Sequence, residues 1–496
     1  MPSDAGNPPP ERGLPLWSFR DDVALEPAGD GGLTILTRWG EVRADRPSPA
    51  VAECLHRMTL GPVALTNVAG LDLGELLGLL ARLPGCVVRS LGMPGSAAPL
   101  LSVTPVSPHE LDELPELDDH RPVRLSRFAA LREQDGEVLL ESPLSHHRVV
   151  LHRPLASWVV GSLGRTTTSS EIARVIDVSR PLVTGIVTCL AAAGMVVFQP
   201  DPAGGTRLGF AEDSDPALLT WSPHDLMFHS RSRIGRHDDP VGALYRYAGR
   251  LPPLPAVKPP PRGERFPLYR PDPAVPAGGG ITLTEAMDRR RSVREFAADG
   301  PSADQLGELL HRTARIRSQR RVVGAGGIPY TVSERPYPSM GSLHELELYL
   351  TVDRCAGLPR GIYHYDPQGH ALTLVNVDAA QVDELLGGAM VQTGSRRPPP
   401  VLITMTARMA RLSWVHGGIS YATTLKHVGV LQQTLYLVAT ALGLAPCALA
   451  MGDSDAATAA FGLDHPAEVS VGEFVVGLPV DGTDRTVGIV TNRTGA

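Results

Sequence analysis

One run constrains this chain more than any other: Arg290-Arg291-Ser292-Val293-Arg294-Glu295-Phe296. The residues before it, Ile281 to Asp288, predict a helix with Thr284 as N-cap and with Ile281, Leu283 and Met287 placed to face a core. Beyond the helix, Arg290, Ser292 and Arg294 alternate along an extended segment, so all three side chains can point one way. Two guanidiniums and a hydroxyl converging on one spot suit a phosphate and a flat, electron-rich ring edge. A solvated basic helix end facing the helix dipole is the competing reading, and on this run alone the two weigh the same.

Composition narrows the rest. A chain of 496 residues, 43% hydrophobic and 20% charged, reads as ordinary globular protein of about two to four domains. A net charge of −7 gives no argument for nucleic acid. Of 46 basic residues only Lys258 and Lys426 are lysine, which leaves few candidates for a lysine base. The five cysteines are scattered, with neither disulfide nor metal-ligand spacing, and favour a reducing cytoplasm. Neither a signal peptide nor an apolar run of about 18 residues stands out, so no membrane span is expected. His146, His147 and His152 lack a carboxylate or cysteine partner in sequence and read as surface residues; no metal site is expected.

In chain order, residues 1–15 read as a disordered tail rich in Pro and Gly. Residues 16–105 read as a small α+β unit, and 121–200 as a second unit in a winged-helix order. The stretch that would be its recognition helix, from Pro181 to Leu190, carries no charge, which favours peptide docking or dimer support over DNA. A boundary is expected at Asp201 to Gly205. Residues 218–275 read as a helix and a stiff, proline-rich linker that wraps a dimer surface. From 276 to 496 helices and strands mix around one long helix, 421–442, in which Val428, Leu431, Leu435, Val438 and Leu442 form a core or subunit seam. The fold class is α+β, with a loop expected at 319–338.

Two further segments join the first run: Arg335-Pro336-Tyr337-Pro338-Ser339-Met340-Gly341-Ser342-Leu343-His344-Glu345, continuing to Leu350, and Gly361 to Pro367. In this order they resemble the nitroreductase family, and within it the SagB-type, or ThcOx-like, branch of FMN-dependent azoline dehydrogenases acting on ribosomally made peptides. The resemblance spans about residues 218–480, with a looser echo from about residue 122 and a weak leaning to thiopeptide-like pathways.

The resemblance implies a homodimer with a mixed sheet, a central long helix and FMN held between subunits. It places the run Arg290, Arg291, Ser292 and Arg294 at the phosphate and ribityl end. Arg335, Pro336, Ser339, Met340 and Gly341 form a second flavin segment. Gln433 or Gln432 lies beside the ring, and the backbone of Leu449, Ala450 and Met451 lies near N5. The family has two glycines where this chain has Ala450-Met451. The implied reaction turns thiazolines or oxazolines into azoles, with hydride going to flavin N5, a proton going to a base, and oxygen reoxidising the flavin. The implied partners are a modified precursor peptide (leader and core) and a cyclodehydratase. Relatives carry a Lys-Tyr pair in a Trp-Lys-Tyr-Gly-like context, where this chain has Trp414-Val415-His416-Gly417. His416 is the best local base, ahead of Tyr421 and Lys426; an ordinary packed or exposed histidine carries equal weight. A flavin oxidase or nitroreductase acting on a small or carrier-bound molecule, and a non-catalytic peptide scaffold, stay open.

Overall fold

The computed structural model describes residues 13–96, 98–111, 114–200, 209–272, 274–275 and 280–480. Most of the expected tail, the expected boundary at 201–205 and the glycines 278–279 lie outside the described residues. The chain divides into two compact units, residues 1–239 and 240–496. The division falls inside the stretch 218–275 rather than at either end of it.

Unit 1 begins with β1 (Leu14–Phe19), β2 (Ala24–Pro27), β3 (Leu33–Thr37), β4 (Gly40–Ala44), α1 (Pro49–Leu60) and α2 (Leu73–Leu80). Next come β5 (Val87–Gly92), β6 (Leu101–Pro105), β7 (Val123–Leu125), β8 (Ala130–Gln134), β9 (Glu137–Glu141) and β10 (His147–Leu151). It closes with α3 (Pro154–Ser162), α4 (Ser169–Ile176), α5 (Arg180–Ala192), β11 (Val196–Phe198), α6 (Pro216–Leu219) and α7 (Pro223–Arg231). Strands β1-β5-β6-β10-β9-β8 make one sheet. The β6–β10 ladder, from His147 opposite Pro105 to Leu151 opposite Leu101, joins the stretches 16–105 and 121–200. These two stretches were expected as separate units; the structure gives them one continuous sheet. Helix α5 buries Leu182, Val183, Ile186 and Leu190 in the core beside it. His147, expected at the surface, is buried.

Unit 2 runs β12 (Arg265–Pro267), α8 (Leu283–Arg289), α9 (Ala303–Ala314), β13 (Ser318–Val323), β14 (Pro329–Glu334) and β15 (Leu346–Val352). It continues with β16 (Gly361–Asp366), β17 (Ala371–Asn376), α10 (Ala379–Thr393), β18 (Val401–Arg408), α11 (Met409–Ser413) and α12 (Ser420–Ala441). Then come β19 (Ala445–Leu449), α13 (Ser454–Phe461) and β20 (Glu468–Gly477). The sheet order is β12-β17-β16-β15-β18-β20-β19. Among the described residues every ladder in it is antiparallel, not mixed as expected. Short connections such as the one between β16 and β17 allow only antiparallel neighbours, because a parallel pair needs a long crossover.

Strands β15 and β18 are buried along their whole length, since helices cover both faces. On one face Leu350, Ile403, Met405 and Phe474 pack with α9 and with Val428, Leu431 and Leu435 of α12. On the other, Tyr349, Leu402 and Val475 pack with α10 and α13. The apolar seam of α12 is therefore core. Helix α8 departs from expectation: Thr282, not Thr284, is its N-cap, accepting the Glu285 N–H at 3.2 Å, and Leu283 and Met287 are exposed. The expected loop 319–338 holds the β13–β14 hairpin, turned at Gly324-Ala-Gly-Gly.

Candidate FMN site

The organising run lies along the edge of the main sheet. Val293 N–H donates to the Pro446 carbonyl (2.8 Å) and Ala297 N–H to the Leu478 carbonyl (3.0 Å), so the run covers β19, the edge strand. Tyr436 of α12 fixes its centre. The phenol accepts the Ala448 N–H at 2.7 Å, which leaves its own hydrogen for Ser292 Oγ, also at 2.7 Å. The Ser292 hydrogen can then serve an external acceptor. The Arg290 guanidinium lies 5.3 Å from the Tyr436 ring centroid. Arg294 is close enough to Cys447 to oppose the burial that pushes that thiol up. Arg291 departs from the group: exposed, it donates to the carbonyls of Asp288 (2.6 Å) and Arg290 (2.9 Å).

Among the described residues Arg290 and Arg294 form no ion pair, although both are half-buried. Two enclosed guanidiniums without carboxylates, beside a hydroxyl with a hydrogen to give, fit a phosphate. Replacing Tyr436 by phenylalanine should leave the Ala448 amide and Ser292 without a partner, costing about 1–3 kcal/mol, and weaken FMN about tenfold. Titrating the apo-protein with FMN checks this, and an unchanged affinity removes the phenol from the site.

The second segment turns on the other flank of α12. Met340 N–H donates to His427 Nε2 at 2.9 Å, and His427 Nδ1–H donates to Glu345 at 2.7 Å in the interior. Ser339 Oγ accepts the His344 N–H at 3.0 Å. Gly341 has φ +62°, and a Cβ there would lie 3.8 Å from His416 Nε2. His416 is buried, with Nδ1 3.3 Å from the Gly242 carbonyl, which assigns that nitrogen the hydrogen and leaves the Nε2 lone pair facing the turn. Pro336 is half-buried. Arg335 points inward beneath the turn, 7% exposed, with Nη1 3.4 Å from the Leu346 carbonyl. Tyr421 and Lys426 sit on exposed positions of α12.

His427 and Tyr436 are nine positions apart, so the two segments are about 13 Å apart along the helix and half a turn around it. Within one chain the helix lies between them. Gln433 is exposed on α12, whereas Gln432 donates to the Glu473 carbonyl at 3.2 Å.

The third segment closes the edge. Leu449 is buried under α10 and α13, Ala450 is exposed, and Met451 is 71% exposed. The Met451 N–H is taken by Gln392 Oε1 at 2.9 Å, so it is not free to donate to a ligand. A Cβ at Gly452 would collide with the Glu473 carboxyl. Burial pushes Glu473 up to about 7. An acid raised in the folded state stabilises it below the ordinary carboxyl range and loses that contribution as pH rises through about 7. Glu473→Gln should therefore remove a fall in stability between about pH 4.5 and about pH 7, read by denaturant unfolding. Parallel wild-type and variant curves would contradict this.

Sequence reasoning missed Tyr436, His427, Gln392 and Glu473, and held Glu345 in the second segment without a role. Each acts through a partner remote in the chain, so no local signal gives its role.

Comparison with known families fits this geometry. Residues 123–238 match the model of the cyanobactin oxidase ThcOx, and residues 287–478 match that of the nitroreductase family. The chain thus carries a nitroreductase-type region over residues 287–478 and a ThcOx-type region over residues 123–238. A ThcOx-type nitroreductase is an oxidoreductase, and its cofactor is FMN. A protein of Methanocaldococcus jannaschii named as a nitroreductase is 29% identical over 164 residues, 33% of this chain and 76% of that protein. Solved structures similar to parts of the chain include a nitroreductase of Ralstonia eutropha (20% identity, 46% of this chain and 99% of that one, TM-score 0.33). Another is the E. coli microcin synthetase complex McbBCD with truncated pro-MccB17 bound (20%, 54% and 95%, TM-score 0.33). A third is an Exiguobacterium sibiricum nitroreductase in complex with FMN (13%, 43% and 96%, TM-score 0.29). Among the described residues no helix is long and apolar enough to cross a membrane, and no group of three ligating side chains could hold a metal.

Proposed function

We propose that this oxidoreductase is an azoline dehydrogenase, oxidising thiazoline or oxazoline rings in a ribosomally made peptide to thiazoles or oxazoles. The observation that carries the reading is the placement of His416, an enclosed imidazole with a free Nε2 facing the Met340–Gly341 turn, in a ThcOx-type chain. FMN, when bound, supplies the acceptor for the hydride lost from a ring carbon, and oxygen restores it. Arg290, Ser292 and Arg294 hold the phosphate. The Glu345–His427 pair holds the Met340 amide and so fixes the turn. His416 takes the proton that leaves as the ring becomes aromatic.

Two chains share each site in this reading: the first run of one chain meets the second segment of the other. Leu425, Gly429 and Gln433 support it, an exposed line on α12 spaced four apart. Exposed Leu283 and Met287 lie on α8, which packs against α12. A cyclodehydratase would make the ring that this enzyme consumes. Mass spectrometry of a cyclised peptide incubated with the enzyme should show two hydrogens lost per ring. A peptide of unchanged mass, with flavin present and a small nitroaromatic reduced, would favour a small-molecule nitroreductase instead.

A further inference from the structure

In unit 2 the turn between β16 and β17 and the C-terminal end of α9 frame a pocket of about 330 Å³. Its walls are fixed. Ile316 N–H donates to the Pro367 carbonyl at 3.0 Å, and Arg317 N–H to the Glu334 carbonyl at 2.8 Å. Asp366 accepts the Gln368 and Gly369 amides at 3.1 and 2.9 Å, and its second oxygen pairs with Arg265 at 2.9 Å. His370 is buried, with Nε2 2.9 Å from the Tyr269 carbonyl and Nδ1 2.9 Å from the Tyr365 hydroxyl. A carbonyl can only accept, so Nε2 carries the hydrogen and Nδ1 accepts from the phenol.

The lining is cationic. Arg270, Arg315 and Arg317 reach it and no carboxylate does, in a chain whose net charge is −7. Among the described residues none of these three arginines forms an ion pair, whereas nearby Arg312 is paired with Glu308 at 2.7 Å. Arg270 donates to the Gly369 carbonyl and Arg315 to the His311 carbonyl, each at 2.7 Å. A guanidinium has five N–H donors, so most of theirs remain for a ligand. The crowding of positive charge registers on His311, which also lines the pocket: burial first, then Arg315, His370, Arg270 and Arg312, pushes its pKa down to about 4. The helix dipole accounts for Arg315 at the end of α9, but not for Arg270, which comes from the segment after β12. Ile316 and Pro367 are the apolar side chains in the lining, so the pocket suits a polar ligand. A carboxylate offers two oxygens in one plane. A phosphate offers three in a tetrahedron, which better serves guanidiniums arriving from separate segments. The pocket is also remote from the organising run, because β15, β18 and β20 separate β16 from β19, about 19 Å at the usual strand spacing.

We propose that this pocket binds a small polyanion of the diphosphate class. The inference goes beyond the ring chemistry above and does not rest on it, because the test reads binding alone. The probe is inorganic diphosphate, titrated calorimetrically into the full-length, FMN-loaded protein while the flavin spectrum is followed. It should bind roughly tenfold or more tightly than inorganic phosphate or citrate, the scale of one charge-assisted hydrogen bond, and weaken with salt. Arg270→Gln combined with Arg317→Gln, both exposed, should weaken diphosphate by about tenfold or more with flavin content unchanged. Arg320→Gln combined with Arg321→Gln removes the same charge from exposed positions of β13 outside the lining and should leave the affinity as it was. Adenosine diphosphate binding more tightly than diphosphate would support the site and name a nucleotide as its source; equal binding would support it and name the free anion. Absence of diphosphate binding, citrate binding as tightly, or equal loss in the two double variants overturns the proposal. Release of FMN by diphosphate also overturns it, because the anion would then be occupying the flavin phosphate site.

Discussion

Arg290→Ala is expected to yield a protein that folds but purifies without its flavin. Arg290 and Arg294 are half-buried cations that form no ion pair among the described residues, and Arg290 is held over the Tyr436 ring. Charge-assisted hydrogen bonds to a phosphate contribute about 1.5–3 kcal/mol each. Losing one should weaken FMN by about tenfold to somewhat over a hundredfold. The ratio of flavin to protein absorbance reads this directly, and excess FMN should restore it. Arg291→Ala is the internal control: its guanidinium already bonds the carbonyls of its own helix end, so flavin content should not change. Undiminished flavin in Arg290→Ala would remove the organising run from the phosphate site.

His416→Ala should do the opposite, keeping the flavin while lowering ring oxidation by roughly 10²–10⁴, the range for loss of a general base. Burial lowers the His416 pKa, so the imidazole is neutral at neutral pH, as a base must be. The sign follows: wild-type rate should hold as pH falls into the ordinary imidazole range and drop only below it. His416→Ala should show a flat profile over that window. A near-normal rate with full flavin would pass the role to another group, a substrate amide or water included. Val415, where relatives have the lysine, is buried and cannot ionise.

What could be read in advance followed chain-local signals. The strands Leu346–Val352 and Gly361–Asp366, the helix Ser454–Phe461 and the long helix Ser420–Ala441 all show in apolar spacing and capping residues. The hairpin Ser318–Glu334 did not. Its first strand, Ser-Gln-Arg-Arg-Val-Val, is almost wholly exposed, so no apolar alternation marks it. Helix α8 misled for a related reason: Leu283 and Met287 look like a core face, yet this short helix leaves them uncovered. The single sheet in unit 1 depends on β6 meeting β10 across some forty residues, a pairing no local pattern reports.

The site divides the same way. Ser292 was legible, but the phenol that orients it comes from 144 positions away. The Met340 turn was legible, but not the His427–Glu345 pair that holds it, whose members lie 82 positions apart. Arg291 and Arg335 belong to the right segments but point elsewhere, one onto its own helix and the other inward, because sequence gives proximity in the chain but not the rotamer.

The central claim is that each flavin is held by the first run of one chain and the second segment of another. Co-expression of an Arg290→Ala chain with a Gly341→Val chain tests it most directly. The valine is strained at φ +62° and crowds His416. Each variant alone should be folded and flavin-free. If the segments act across two chains, the mixed dimer regains one intact site of its two and turns yellow, with one FMN per pair. A mixed dimer as colourless as its parents would mean that both segments serve one site within a single chain, and the shared-site account would fall.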